Sequence, residues 1–171
     1  MNATMVQLVD MSFEDPRWVA FGLEPLAETA ARAVLAELGL NPDRFEISLL
    51  ACDDARISLL NAEFRGKPAP TNVLSWPTAA RGAAIDGTVP DLPQPASPMP
   101  EALGDIAIAW ETCASEAAGQ GKPMAHHVTH LIVHGTLHLI GYDHIRDGDA
   151  LVMEGLEAKV LASLGVSDPY R

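Results

Sequence analysis

The spacing of hydrophobic and polar positions changes period several times along the chain, and each change marks an element. Alternation over Met5–Asp10 predicts a first strand, and Phe45–Cys52 predicts a second. Between them Pro25–Leu38 reads as a helix, with proline in its first turn and Gly39 past its end. Asp53 suits the N-cap of a helix running to about Phe64, because Ile57, Leu60 and Phe64 recur at three- and four-residue spacing. Arg65 and Gly66 then leave that helix. Short strands are expected over Asn72–Trp76 and Gly104–Trp110, the latter with Ile106 and Ile108 on one face and Asp105 and Ala107 on the other. A helix follows from Glu111.

The next helix is predicted from near Met124, just after Pro123, to Ile140, where Gly141 stops it. At ~100° per residue, Val128, Leu131, Ile132, Gly135 and Leu139 share one face while Val133, Leu137 and Ile140 lie nearly opposite, so this helix should be buried on two sides. A last helix is expected over Asp147–Leu164, with Leu151, Val152, Leu156, Val160 and Leu161 as its core face. Met153 reads as core, and Glu154 belongs to the same helix, packed under the site developed below. Residues 77–100 carry six prolines and no sustained apolar period, which predicts a long loop. A solvated insertion is the expected form, ahead of a mobile flap. These elements make an α/β (α+β) fold, a small mixed sheet of about four strands with helices, in one domain over residues 1–171.

Composition narrows the chemistry. Only Cys52 and Cys113 are present, so no disulfide framework is expected, and a reducing cytoplasm is the expected compartment. The start, MNATMVQLVD, has neither a basic leader nor an apolar export core, and no window approaches the ~18 apolar residues of a membrane span. Lys and Arg total 11 against 23 Asp and Glu, a formal net charge of −12. A protein that grips nucleic acid through phosphate neutralisation should be basic, so any RNA function needs a local positive site or a partner that presents the substrate.

All six histidines fall between His126 and His144. His134 and His138 stand one helical turn apart, so their imidazoles project from the same side and can converge on one ion at the ~2.0–2.1 Å Zn–N distance. Gly141 reverses the chain and lets Tyr142 and Asp143 carry His144 back towards the pair. The string HGTLHLIGYDH has the spacing of the metzincin peptidase motif HExxHxxGxxH, except that Gly135 stands where the peptidase has its catalytic Glu. Three neutral imidazoles leave a dication uncompensated, with a fourth position open to water whose pKa such sites lower to ~7. Such a centre favours an anionic substrate such as a phosphodiester. His130 reads as an ordinary buried imidazole, with support of the ligands as the sharper reading, and His126 and His127 as exposed residues of the first turn. Asp143 is equally well a turn carboxylate or a group that orients a ligand.

With that string in view, the sequence resembles the YbeY family of bacterial endoribonucleases, whose hallmark is H-x3-H-x5-H within HGxLHLxGYDH. Asn61, Phe64, Arg65 and Gly66 followed by PTNVLSWP (Pro70–Pro77) look like a second family segment, and Leu103-Gly104-Asp105-Ile106 like its LGDI strand. The resemblance spans about Ile47–Leu161. Asn72 replaces the family's usual Asp, and the 77–100 loop is longer than the family pattern. The resemblance implies a zincin-like fold with the metal site at the end of a central helix, and metal-dependent cleavage of single-stranded RNA. It also implies a part in ribosomal RNA maturation and ribosome quality control.

The implied cofactor is one Zn2+, with nickel or another transition metal also suited to imidazole. The implied partners are ribosomal RNA or its precursor and a ribosomal particle or assembly factor, with neither membrane nor DNA. Arg65 could be a cation favoured by the helix dipole, but the family keeps an arginine at this position, and the resemblance favours a catalytic guanidinium that clamps a phosphate oxygen. Lys67 reads as a solvated loop lysine. Two rival readings stand beside the nuclease: a metzincin-like peptidase, and a non-enzymatic assembly factor whose metal is structural.

Overall fold

A computed structural model describes residues 6–170. Its elements are β1 (Val9–Phe13), α1 (Arg17–Phe21), α2 (Leu23–Glu37), β2 (Phe45–Cys52), α3 (Asp54–Arg65), β3 (Val73–Pro77), β4 (Glu101–Ala109), α4 (Trp110–Gly119), α5 (Met124–Ile140) and α6 (Asp147–Ser163). The strands form one mixed four-stranded sheet in the order β1-β2-β4-β3, as the expected α/β fold requires. β1, β2 and β4 run parallel and β3 antiparallel, which leaves β3 at an edge.

The alternation of β4 divides the core between the two faces of the sheet. Ile106 and Ile108 enter the large cluster with α2, α5 and α6, whereas Ala107 and Ala109 join Ile57 and Leu74 in a smaller cluster under α3. Each fully buried Leu, Ile or Val side chain contributes ~1.5–3 kcal/mol by leaving water. α5 therefore holds its place by packing on two sides, as its sequence predicts: Leu131, Ile132, Val133, Leu137, Leu139 and Ile140 are all buried. At Gly104 the main chain of β3 comes so close that a Cβ would sit 2.2 Å from the Trp76 carbonyl oxygen, and φ is +149°. Only glycine fits there.

Several boundaries differ from the sequence-based expectation. The first strand is Val9–Phe13 rather than Met5–Asp10, and Met5 lies outside the described residues. Val9, Met11 and Phe13 continue an alternation that pairs in register with Ile47, Leu49 and Ala51, and cross-strand pairing outweighs the earlier run. α1 was not expected; it is set by the fully buried Trp18, whose indole N–H donates to the Cys52 oxygen at 2.9 Å. Phe64 is 58% exposed and meets Trp76 edge-on instead of entering the core, and Leu151 of α6 is 73% exposed. The buried face of α6 is Met153, Glu157, Val160 and Leu161.

The long loop is docked, not merely solvated. Pro90 and Pro93 are buried and Leu92 packs on the main core. Arg146 donates to the Ala83 oxygen, Asp149 accepts from the Gly87 amide, and Asp86 accepts from the Asp149 amide, which ties the loop to the start of α6. Among the described residues no helix is long and apolar enough to cross a membrane.

Candidate metal centre

The last turns of α5 and the turn after it build the centre. His134 and His138 project from one side of α5, and their rings stand 4.5 Å apart, centroid to centroid. Gly141, with φ +112°, caps the helix through its amide to the His138 oxygen, and a Cβ there would lie 2.5 Å from the Arg81 oxygen. The reversal returns His144 to 5.2 Å from the His134 ring and 5.1 Å from the His138 ring. One ring nitrogen from each of the three lies within 4.8 Å of the others. His134 and His138 are partly buried and His144 is exposed, so the group opens to solvent on one side.

The donor set suits a borderline transition metal. The Nε2 atoms of His134 and His138 are 3.0 Å apart, close to the ~3.3 Å edge of a tetrahedron with ~2.0–2.1 Å bonds. Burial, with the neighbouring His134 and His144, pushes the His138 pKa down to about 4, so this ring is a neutral donor at physiological pH. Gly135 lies beneath, where a Cβ would meet the Ile106 Cδ1 at 3.3 Å, and brings no carboxylate to the centre.

Two cavities flank the histidines, of about 790 Å³ and about 340 Å³, and Arg65, Ser75, His138 and His144 line both. Arg65 ends α3, and Gly66 releases the chain towards the edge strand β3. Its guanidinium is exposed and makes no hydrogen bond or ion pair with any described residue. Arg81 and Arg146 line the larger cavity too, so a net acidic protein carries its histidine group beside three arginines.

The remaining candidates have local structural partners. Asp143 accepts from the His144 amide at 2.7 Å and shapes the turn. Asn72 donates to Glu116 at 3.0 Å and accepts from its neighbour's amide. His127 lies in the first turn of α5 but is 5% exposed, not open to solvent as expected, and its Nε2 meets Glu116 at 2.9 Å. His126 is exposed, as expected.

Sequence reasoning missed Glu157. This carboxylate on α6 has no exposed surface and meets His134 Nδ1, His130 Nε2 at 3.2 Å, and the Tyr170 hydroxyl. Burial pushes its pKa up, but the hydrogen bonds from His130, His134 and Tyr170 outweigh it and hold the group at about 2. The available signal was an acid in line with Met153, Val160 and Leu161 on an apolar helix face, where a charge requires a buried partner.

Known proteins resemble this chain over nearly its whole length. A protein of Ruegeria pomeroyi named Endoribonuclease YbeY is 59% identical over 162 residues, covering 95% of this chain and 97% of its own. One of the same name from Dinoroseobacter shibae is 58% identical over 162 residues, covering 95% and 90%. A Thermotoga maritima protein solved in solution shares the fold, with a TM-score of 0.55 over 96% of this chain and 99% of that one at 20% identity. A family model described as Endoribonuclease YbeY matches residues 12–165, a span that runs from the end of β1 through the histidine turn and α6, and the chain belongs to that family.

Proposed function

We propose that this chain is a metal-dependent endoribonuclease that cuts single-stranded RNA in ribosomal RNA maturation and ribosome quality control. The observation that carries this reading is the meeting, in one cleft, of three convergent imidazole nitrogens with a guanidinium that has no partner among the described residues. His134, His138 and His144 would hold the ion, zinc being the best match to three nitrogen donors and nickel or another transition metal the substitute. When bound, such an ion supplies Lewis acidity towards a phosphoryl oxygen and lowers the pKa of water.

The chain's own groups divide the remaining work. Arg65 pairs through its planar fork with a non-bridging phosphate oxygen and stabilises charge that builds there during cleavage. Arg81 and Arg146 add positive potential along the larger cavity. Gly135 withholds the carboxylate base a peptidase of this spacing needs, which counts against peptide substrates. The exposed face of His144 and the open cavities count against a closed, purely structural metal site.

A net charge of −12 disfavours capture of free RNA, so the substrate is presented by a ribosomal particle or an assembly factor. Both cysteines are buried free thiols, which supports action in a reducing cytoplasm. The test is to purify the protein, measure bound metal by elemental analysis, and incubate it with a single-stranded RNA, its duplex, the matching DNA and a peptide. Cleavage of the single-stranded RNA alone, abolished by a chelator and restored by metal, is expected. Fully loaded protein that leaves RNA intact, both free and on ribosomal particles, would defeat the reading.

A further inference from the structure

His134 uses both of its ring nitrogens. Nε2 faces His138 at 3.0 Å, and Nδ1 meets the Glu157 carboxylate on the other side of the ring. The second carboxylate oxygen meets His130 Nε2 at 3.2 Å and accepts from the Tyr170 hydroxyl. Tyr170 comes from the segment after α6, and its ring stands edge-on to His130 with centroids 5.8 Å apart. Three groups thus converge on one carboxylate that solvent does not reach.

We propose that Glu157 is the positioning residue of the histidine centre: it holds His134 with its proton on Nδ1 and its Nε2 lone pair towards the ion, while His130 and Tyr170 hold Glu157. The proposal rests on the metal reading above. An ionised carboxylate only accepts, so the proton in the Glu157–His134 contact belongs to Nδ1. A neutral imidazole has one such proton, and Nε2 is left as the donor atom to a metal. The hydrogen bond of one ring nitrogen selects the other for ligation, fixes the ring plane and raises its basicity. Tyr170 and His130 occupy the oxygen that would otherwise let the carboxylate rotate.

The same atoms offer a competing reading. One ring nitrogen each of His130 and His134 and a Glu157 oxygen lie within 4.8 Å of one another and would suit a second cation, which on the Glu157 side would meet His134 Nδ1. His134 would then have to give both nitrogens to metal and surrender its last ring proton, whereas the hydrogen-bonded arrangement leaves every group in its ordinary neutral or ionised form.

The experiment titrates zinc into wild-type, Glu157→Gln, Tyr170→Phe and His138→Ala proteins in competition with a chromophoric chelator. Long-range 1H–15N correlation spectra report the His134 tautomer. Wild type should bind one equivalent with the His134 proton on Nδ1. Glu157→Gln should lose ~10–100-fold in zinc affinity and show mixed His134 tautomers before loading. Tyr170→Phe should lose several-fold with its circular dichroism unchanged. Wild-type affinity and tautomer in Glu157→Gln would overturn the proposal. If that variant does not fold, Tyr170→Phe decides alone, and unchanged affinity there overturns it. Two equivalents in wild type, the second lost in Tyr170→Phe, would overturn it in favour of a second metal site. Failure of the metal reading itself has a different signature: wild type binds no zinc, or His138→Ala keeps it, and both proposals then fall.

Discussion

The guanidinium of Arg81 donates to the main-chain oxygen of Leu139 at 2.9 Å, joining residues 58 apart in the chain. That oxygen belongs to the last turn of α5, where carbonyls lack helical partners, so Arg81 caps the helix that carries His134 and His138. The same side chain reaches the Thr78 hydroxyl at 3.1 Å and so ties the long loop to the site. Arg81→Ala should cost about 1–3 kcal/mol, the usual range for charge-assisted hydrogen bonds. Urea unfolding and limited proteolysis check it, with faster cleavage expected within residues 79–99. Replacing those residues with a short Gly/Ser linker should destabilise further, because Leu92 leaves the core and the burial of Pro90 and Pro93 is lost. Unchanged unfolding in both variants would return the loop to a surface insertion.

Removing one of the proposed ligands should remove the metal. His138→Ala leaves two of the three convergent nitrogens, and bound metal should fall to near zero by elemental analysis. Ligand binding to the native state stabilises it by ~2.7 kcal/mol at a hundredfold excess over Kd. The melting temperature of loaded wild type should therefore drop on adding a chelator, and that of His138→Ala should not respond. Full occupancy in the variant would place the ion elsewhere.

The centre was legible in the sequence because its parts are local. His134 and His138 are a helical turn apart, Gly141 is a C-cap, and His144 follows three residues later, so periodicity and turn chemistry bring the rings together without knowledge of the fold. The pairing of Glu157 with His134 was illegible for the opposite reason: the two meet across 23 residues, through the packing of α6 on α5. The proline-rich loop misled in the same way. An aperiodic segment reads as solvated, yet Pro90 and Pro93 are buried and Leu92 between them packs on the main core. β1 slid along the chain because alternation alone does not set register, and pairing with Ile47, Leu49 and Ala51 does. His127 was placed in solvent by its position in the first turn of α5, but Glu116 of the preceding helix covers it.

Acid should unfasten β1 from α2 through Glu28. Its carboxylate accepts from the Leu8 and Val9 amides at 3.0 and 2.8 Å and pairs with Arg32. Burial raises its pKa, but the two amides and Arg32 outweigh it, and the folded value lies below the ordinary 4.5. Between the two values the unfolded chain binds more protons, so this contribution is complete above the unfolded pKa and is lost as pH falls through the folded one. Glu28→Gln should cost about 1–3 kcal/mol at neutral pH and flatten the loss of stability below pH ~4.5. Thermal melts from pH 7 to 3 check both, and parallel curves for variant and wild type would remove Glu28 from the account.

Arg65 separates the catalyst from a metal-bearing scaffold. Its guanidinium is exposed and unpartnered among the described residues, so the fold loses little without it: the helix-end charge is worth ~0.3–1 kcal/mol. Arg65→Ala should therefore keep the metal and melt within a degree or two of wild type. A guanidinium that meets a phosphate in the transition state is worth ~10²–10³ in rate, and cleavage of single-stranded RNA should fall by about that much. Most of the loss should appear in kcat, since a contact strengthened in the transition state lowers kcat and kcat/KM together. Arg65→Lys should recover only part, because an ammonium keeps the charge but lacks the planar fork. Equal cleavage by Arg65→Ala and wild type would make Arg65 a helix-end cation and leave the histidine centre untouched. A loss confined to KM would make it a docking contact for the RNA backbone instead of a group that acts on the reacting phosphate.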